Sequence, residues 1–149
     1  MVSPRRLLAA ALPLALLLAA CSAPSSGDNG SSAEEPRAVE VRMSDELTFD
    51  PEEISVTTGE TVRFEVTNDG ATVHEFLIGD EAAQAEFAEE MAAGDAHGHT
   101  DAGVTVQPGE TETFEYTFEE AGSDLLAGCH EPGHYDAGMV ASITVTDPS

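Results

Sequence analysis

The chain has no lysine and no tryptophan, and its five arginines stand against 29 aspartates and glutamates, a formal net charge of −24. This balance excludes nucleic acid as a partner, because a phosphate backbone needs a cationic face on the protein. It also argues against electrostatic attraction to anionic lipid. Aromatic residues make up only 5% of the sequence, so a core must be built from Val, Ile, Leu and a few Phe.

Cysteine is scarce as well, with Cys21 and Cys129 in very different sequence surroundings. Hydrophobic residues still make up 41% of the chain, which is enough for a folded core and argues against wholesale disorder. A length of 149 residues suits one domain and is too short for two ordinary ones.

Residues 1–20 have the pattern of an export signal. Two arginines precede an apolar run over residues 7–18, which is too short to cross a bilayer of about 30 Å. The sequence Leu18-Ala19-Ala20-Cys21 then resembles the lipobox of bacterial lipoproteins. We therefore predict a lipoprotein signal peptide over residues 1–20 and acylation of Cys21, which anchors the mature chain to the membrane.

The alternative is an ordinary signal peptide cleaved near Ala20 or Ala23. Whether export follows the general or the twin-arginine route stays open, because paired arginines occur in both. Either signal places the protein outside the cytoplasmic membrane, where thiols tend to oxidise. Cys129 has no predicted partner there, and a lone thiol in an oxidising compartment indicates chemistry or a bound metal.

Residues 21–36 are mostly small, polar or acidic and predict a flexible tether. From residue 37 to 149, apolar residues alternate with polar ones in short runs separated by turn residues. These runs are Val39–Met43, Ile54–Val56, Val62–Val66, Phe114–Phe118 and Ala141–Val145. The period of two predicts an all-β domain built as an antiparallel β-sandwich.

One segment departs from this alternation. Apolar residues recur every four positions over Glu81–Ala93, which is the spacing of a helix. Asp80 is suited to cap its start and Gly94 to end it. We interpret the segment as one short inserted helix that covers one side of the sandwich as a lid.

The segment from Cys129 to Met139 contains the candidate chemistry. Cys129, His134 and Met139 are spaced by five and five, with Gly and Pro turn residues between them. A chain that leaves one strand, turns tightly and enters the next can place all three side chains near one point. Thiolate, imidazole and thioether together select copper, whereas a thioether is a poor ligand for zinc.

His74 is the candidate for a fourth ligand. It has the same strand parity as the apolar residues that follow it, so it faces the apolar side, and Met139 has the inward parity of the last strand. A buried histidine is by itself more often a core residue than a ligand. Together with Cys129 and His134, however, one shared metal explains all of these residues.

These features resemble the cupredoxins, the small blue copper proteins of the plastocyanin, azurin and auracyanin group. The resemblance covers roughly Val39–Thr146: a Greek-key strand pattern, an upstream His, and Cys-x4-His-x4-Met ahead of the last strand. It implies a cupredoxin-like Greek-key β-sandwich that binds one type 1 copper ion. The implied ligands are His74, Cys129 and His134, with Met139 as a weak axial ligand.

Two residues depart from the family pattern. Glu75 follows the first histidine, where these proteins usually have Asn, and this leaves the surroundings of the metal and its reduction potential open. His130 directly follows Cys129, as in multicopper oxidases, but the other neighbour is Gly128 and one small domain has no room for a trinuclear cluster. A dinuclear site needs two Cys in one loop. Oxidase chemistry is therefore rejected, and we expect no enzymatic activity.

His97 and His99 lie in a Gly- and Asp-rich loop. One interpretation of this pair is a second, weaker copper site; a solvated loop is the favoured one, because no soft ligand is close in the sequence. The carboxylates indicate a solvated acidic surface, so redox partner proteins are expected to have basic surfaces.

The sequence thus predicts a membrane-anchored type 1 copper protein that transfers electrons outside the cytoplasmic membrane. The alternative is an extracytoplasmic copper-handling protein that buffers or delivers copper or confers resistance, because both functions use the same ligands. A metal-free binding module with the same sandwich leaves Cys129 unexplained.

Overall fold

The structure, a computed structural model, describes residues 35–94, 98–122 and 124–148. The predicted signal peptide, the acylation site Cys21, most of the predicted tether and His97 lie outside these residues. The division into residues 1–20, 21–36 and 37–149 therefore stays a prediction. Within the described ranges, no helix combines the length and the apolar character needed to cross a membrane.

Two β-sheets and one helix make up the described chain. The elements are β1 (Arg37–Ser44), β2 (Thr48–Asp50), β3 (Glu53–Thr57), β4 (Thr61–Asn68), β5 (His74–Gly79), α1 (Glu81–Ala93), β6 (His99–Thr100), β7 (Gly103–Val106), β8 (Thr111–Thr117), β9 (Asp124–Gly128) and β10 (Val140–Thr146). One sheet has the strand order β2-β1-β4-β8, and the other has the order β3-β10-β9-β5-β7-β6. The predicted all-β sandwich with one inserted helix is confirmed.

The strand pairing is mixed, which differs from the antiparallel sandwich expected from the alternation. β1 runs parallel to β4, with Val39 opposite Phe64, and β10 runs parallel to β3, with Ile143 opposite Ile54. A period of two determines which face of a strand is buried, but it does not determine the direction of the neighbouring strand. The parallel pairs were therefore not visible in the sequence pattern.

The core lies between the sheets and contains most of the phenylalanines. Every second residue of β4 is buried, as its alternation predicts. Phe64 of that strand stacks on Phe114 with ring centroids 5.3 Å apart, and Phe76 meets Phe49 edge-on at 5.2 Å. Such pairs add about 0.5–1.5 kcal/mol each to the burial of their apolar area. The Phe49–Phe76 pair thus helps to fix the position of β5, the strand that begins at His74.

Helix α1 has the predicted bounds and the predicted ends. The Asp80 side chain accepts a hydrogen bond from the amide of Ala83 at 2.8 Å, and Gly94 ends the helix with a φ of +90°. The helix packs against β5 and β9, so every residue of β5 is buried. The interpretation of α1 as a lid over one side of the sandwich is confirmed.

Candidate metal centre

Adjacent strands of the six-stranded sheet bring the predicted site residues together. His74 is the first residue of β5, and Cys129 directly follows β9, which is paired with both β5 and β10. Met139 directly precedes β10, and its carbonyl accepts a hydrogen bond from the Cys129 amide at 3.2 Å. The loop between β9 and β10 is thus closed at its base, with its first and last residues held side by side.

Tight turns within this loop direct His134 back toward Cys129. The His134 amide donates to the carbonyl of Glu131 at 2.9 Å, and the His134 carbonyl accepts from the Met139 amide at 3.1 Å. Gly133 and Gly138 have φ values of +86° and +98°, which favour glycine. This explains why the sequence has turn residues between the spaced ligand candidates.

The three polar candidates form a compact triangle. The Nδ1 atoms of His74 and His134 are 3.2 Å apart, and Cys129 Sγ lies 3.9 Å from the first and 3.4 Å from the second. A point equidistant from these atoms is about 2 Å from each, which is a bonding distance for a first-row metal ion with nitrogen and sulfur ligands. The residues therefore fit a bound copper ion.

Burial affects the protonation of the donor atoms in opposite ways. Burial, followed by the nearby His134, lowers the pKa of His74, which favours the neutral imidazole, the form that binds a metal. His74 Nε2 points away, toward Thr72 Oγ1 at 3.4 Å and Asp45 Oδ1 at 3.7 Å. Burial also raises the pKa of the Cys129 thiol to about 11 in the metal-free protein, so a metal must displace its proton.

Most of the site is shielded from solvent. His74, Cys129 and Met139 are fully buried, whereas His134 is half-buried. Among the described residues, His74, Cys129 and His134 form a group whose ligand atoms all lie within 4.8 Å of one another. With the buried Met139 thioether in the same loop, the donors are soft sulfur and imidazole, the set that copper prefers.

Glu75 links the two ligand-bearing segments, although it departs from the family pattern. Its side chain is fully buried, and its amide donates to Cys129 Sγ at 3.3 Å. Its carboxylate accepts from the His130 amide at 3.2 Å and from Thr105 Oγ1 at 3.2 Å. One residue therefore connects β5, β7 and the loop after β9.

The other two histidines of the described ranges, His99 and His130, lie outside the triangle. His130 is 5% exposed; its Nε2 is 2.8 Å from Gln84 Oε1, and its ring stacks on Tyr135 with centroids 4.6 Å apart. His99 is exposed, with Nε2 3.0 Å from the carbonyl oxygen of Thr113. The solvated-loop interpretation of His97 and His99 stays a prediction, because His97 is outside the described residues.

Sequence reasoning missed Gln84, which is the one buried residue of α1. The available signal was that Gln84 lies next to the apolar residues Ala83, Phe87 and Met91 on the helix. A lone glutamine is too common on helices for that signal to have been decisive.

Comparisons with known proteins support copper as the metal. Residues 37–146 match the family model of copper binding proteins, plastocyanin/azurin family. The copper-resistant cuproprotein CopI of Rubrivivax gelatinosus is 42% identical, covering 80% of this chain and 72% of that protein, and CopI of Pseudomonas aeruginosa is 35% identical, covering 95% and 98%. Auracyanin A, a "blue" copper protein of Chloroflexus aurantiacus, is similar in structure with a TM-score of 0.61 and 27% identity, covering 75% of this chain and all of that one.

Proposed function

This chain belongs to the plastocyanin/azurin family of copper-binding proteins, with copper as its cofactor, and we propose that it exchanges single electrons through one type 1 copper ion outside the cytoplasmic membrane. The proposed ligands are His74, Cys129 and His134, with Met139 as the weak axial ligand. Copper bound there supplies one-electron chemistry between Cu(I) and Cu(II). The compact donor triangle is the observation that best supports this proposal.

The residues around the metal favour electron exchange over substrate turnover. Buried His74 and Cys129 leave little space for a substrate to reach the metal, and their positions are fixed by strand pairing and by Glu75. The geometry of ligands held in this way changes little between the two oxidation states of copper. His134 is half-buried beside exposed glycines, so its ring edge offers a partner the shortest approach.

The optical spectrum of the copper-loaded protein tests the ligands. Thiolate in a His₂Cys site should give an intense visible charge-transfer band. Cys129→Ser should abolish the band, whereas Met139→Gln should shift it and retain the copper. A colourless protein that nevertheless binds copper would contradict the type 1 assignment.

A second candidate function is copper handling in copper resistance, and the named relatives favour it. Such a protein must release copper readily to an acceptor, whereas an electron carrier must retain it in both oxidation states. The Cu(I)-loaded chain should therefore be mixed with a metal-free copper acceptor, and the Cu(II)-loaded chain with a reduced cytochrome. Fast oxidation of the cytochrome with retained copper supports electron transfer. Rapid loss of Cu(I) with slow oxidation favours copper handling.

We also propose a lipid anchor at Cys21, on the basis of the lipobox. Cys21→Ser should leave an unprocessed precursor without lipid, as seen by mass spectrometry of the membrane fraction. A soluble mature protein, unchanged by this substitution, would indicate simple secretion instead.

A basic redox partner is the third part of the proposal. A groove of about 300 Å³ lies between α1 and the loop of residues 129–139, called the copper loop below. Its lining includes the apolar residues Met91 and Pro132 and the two acidic residues Glu131 and Asp136. α1 and the loop contain acidic side chains and no Lys or Arg. A cationic protein surface would therefore be attracted to the side of the molecule where His134 lies.

A further inference from the structure

Gln84 has an unusual position for a helix side chain. Helices normally dock on a sheet through an apolar stripe. In α1 the apolar residues Ala83, Phe87 and Met91 are only half-buried, and the 2% exposed side chain of Gln84 is the one that enters the interior. A buried amide is costly unless its polar atoms are all paired, so its partners indicate what it does.

The amide nitrogen of Gln84 joins two strands of the sheet. It donates to the carbonyl oxygens of Leu77 in β5 and Leu126 in β9, both at 3.0 Å. These partners can only accept, so the orientation of the amide is fixed, with Oε1 as the remaining acceptor. Oε1 lies 2.8 Å from His130 Nε2, which must therefore carry a proton and donate it.

Gln84 therefore contacts the residues on both sides of Cys129. On one side it holds the ring of His130, which also stacks on Tyr135. On the other side lies Gly128, where a Cβ atom would come within 2.5 Å of Gln84 Oε1 and 2.7 Å of the Tyr135 ring. A side chain at position 128 would therefore have to displace Gln84 or Tyr135, so the glycine allows Gln84 its position beside the chain.

We propose that Gln84 is a positioning residue for the copper site, which fixes the Cys129 thiolate by holding Gly128 and His130 on either side of it. The inserted helix is then a structural part of the metal centre as well as a cover over the sheet. His130 acts as the connector between helix and loop and is not a metal ligand. This inference rests on the proposed copper ligation.

Truncation of Gln84 tests the proposal, with Glu86→Ala as the matched control on the exposed side of the same helix. Gln84→Ala removes the contacts to both neighbours of Cys129. It should raise the copper dissociation constant about 10- to 100-fold and change the relative intensities of the thiolate-to-copper bands, as loss of such supporting groups does in metal sites. In the metal-free protein it should speed hydrogen exchange at the Cys129 and His130 amides. Glu86→Ala should leave all of these values unchanged.

If circular dichroism shows that Gln84→Ala does not fold, His130→Phe tests the same contact. Phenylalanine keeps the ring volume and the stacking on Tyr135 but cannot donate to Gln84. It should give the same changes in bands and affinity. The wild-type Cu(I) protein supplies a further test, because nitrogen NMR should find the His130 proton on Nε2.

These measurements separate the two proposals. A wild-type protein without a thiolate-to-copper band contradicts the copper ligation itself. A wild-type band that stays unchanged in folded Gln84→Ala or His130→Phe, with unchanged affinity, overturns the role of Gln84 alone. A His130 ring protonated on Nδ1 and not on Nε2 would also overturn it.

Discussion

The carboxylate of Asp45 accepts hydrogen bonds from both the amide and the hydroxyl group of Thr72, at 3.2 and 2.9 Å. Asp45 also accepts from the Ala71 amide at 2.8 Å. Thr72 lies two residues before His74, whose Nε2 faces the same carboxylate at 3.7 Å. The turn after β1 therefore supports the segment that delivers the first proposed copper ligand, with Nδ1 directed at the metal position.

Asp45→Asn should destabilise the protein at neutral pH, and the effect should fade in acid. The hydrogen bonds from Ala71 and Thr72 lower the pKa of Asp45 in the folded state. A lowered pKa contributes stability above the unfolded value near 3.8, and this is lost as the pH falls through the folded value. The free energy of unfolding should be measured with urea from pH 7 to pH 3. The difference in this free energy between wild type and variant should shrink below about pH 4.

Glu46→Gln, at an exposed position in the same turn, is the control for this series. The free energy of unfolding of this variant should differ little from that of the wild type at every pH. An Asp45→Asn protein whose deficit stays constant down to pH 3 would show that the ionised carboxylate is not what stabilises the turn.

Local patterns predicted most of the strands, the helix and the site residues, because these depend on short-range spacing. The alternation of β4, the bounds of α1 and the spacing from Cys129 to Met139 are all properties of neighbouring residues. Contacts between distant segments were not predictable in this way. Glu75 and His130 are 55 positions apart, and their hydrogen bond exists only because of the register in which the strands pair.

The burial of β5 on both of its faces was also not predicted. The parity argument for His74 concerned only the face of β5 that His74 shares with Phe76. The opposite face is covered as well, in part by α1, so Glu75 and Leu77 are as buried as His74 and Phe76. Helix docking through Gln84 depends on carbonyl groups of two strands, which no pattern of side chains in one segment reveals.

Gly103→Ala should destabilise the fold strongly. Gly103 has a φ of +155°, and a Cβ atom there would collide with the carbonyl oxygen of Phe76 in the paired strand β5. We expect a loss of about 2–4 kcal/mol in the free energy of unfolding, measured with urea. Because β5 begins with His74, copper affinity should fall as well.

The matched control for that substitution is Gly109→Ala. Gly109 also has a positive φ, +76°, but a Cβ atom there would meet open space. Only backbone strain remains, which costs about 1 kcal/mol. Equal losses for the two variants would mean that the contact with Phe76 is unimportant.

The metal-free protein should lose stability in alkali because of Cys129. Burial raises the pKa of this thiol from 9.0 to about 11, so the unfolded chain loses the proton first as the pH rises. A raised pKa contributes stability that is present below the unfolded value and lost toward the folded one. Unfolding free energies of the metal-free protein should therefore fall by about 2 kcal/mol between pH 9 and 11.

Cys129→Ser removes the titrating group and should flatten that alkaline slope. The thiol should also react with an alkylating agent far more slowly in the folded, metal-free protein than in urea, because the thiolate is the reactive form. Rapid alkylation of the folded protein at pH 7 would contradict both the burial and the raised pKa.

The charge distribution predicts how a redox partner approaches. Each arginine of the described chain lies in β1 or β4 of the four-stranded sheet, whereas α1 and the copper loop have only acidic charges. A cationic reductant, hexaammineruthenium(II), should therefore reduce the copper-loaded protein more slowly as salt is added, by about tenfold or more between 0.01 and 0.1 M. An anionic reductant, ferrocyanide, should show the opposite dependence.

Two charge reversals decide whether the steering is local. Asp136 is exposed in the groove two residues after His134, and Glu115 is exposed on β8 of the other sheet. Asp136→Lys and Glu115→Lys change the net charge equally, but only Asp136→Lys changes the field where electrons would enter. Asp136→Lys should lower the rate of reduction by the cationic reductant several-fold more than Glu115→Lys does. Equal effects would mean that net charge alone attracts the reductant, and rates independent of salt would contradict a basic partner altogether.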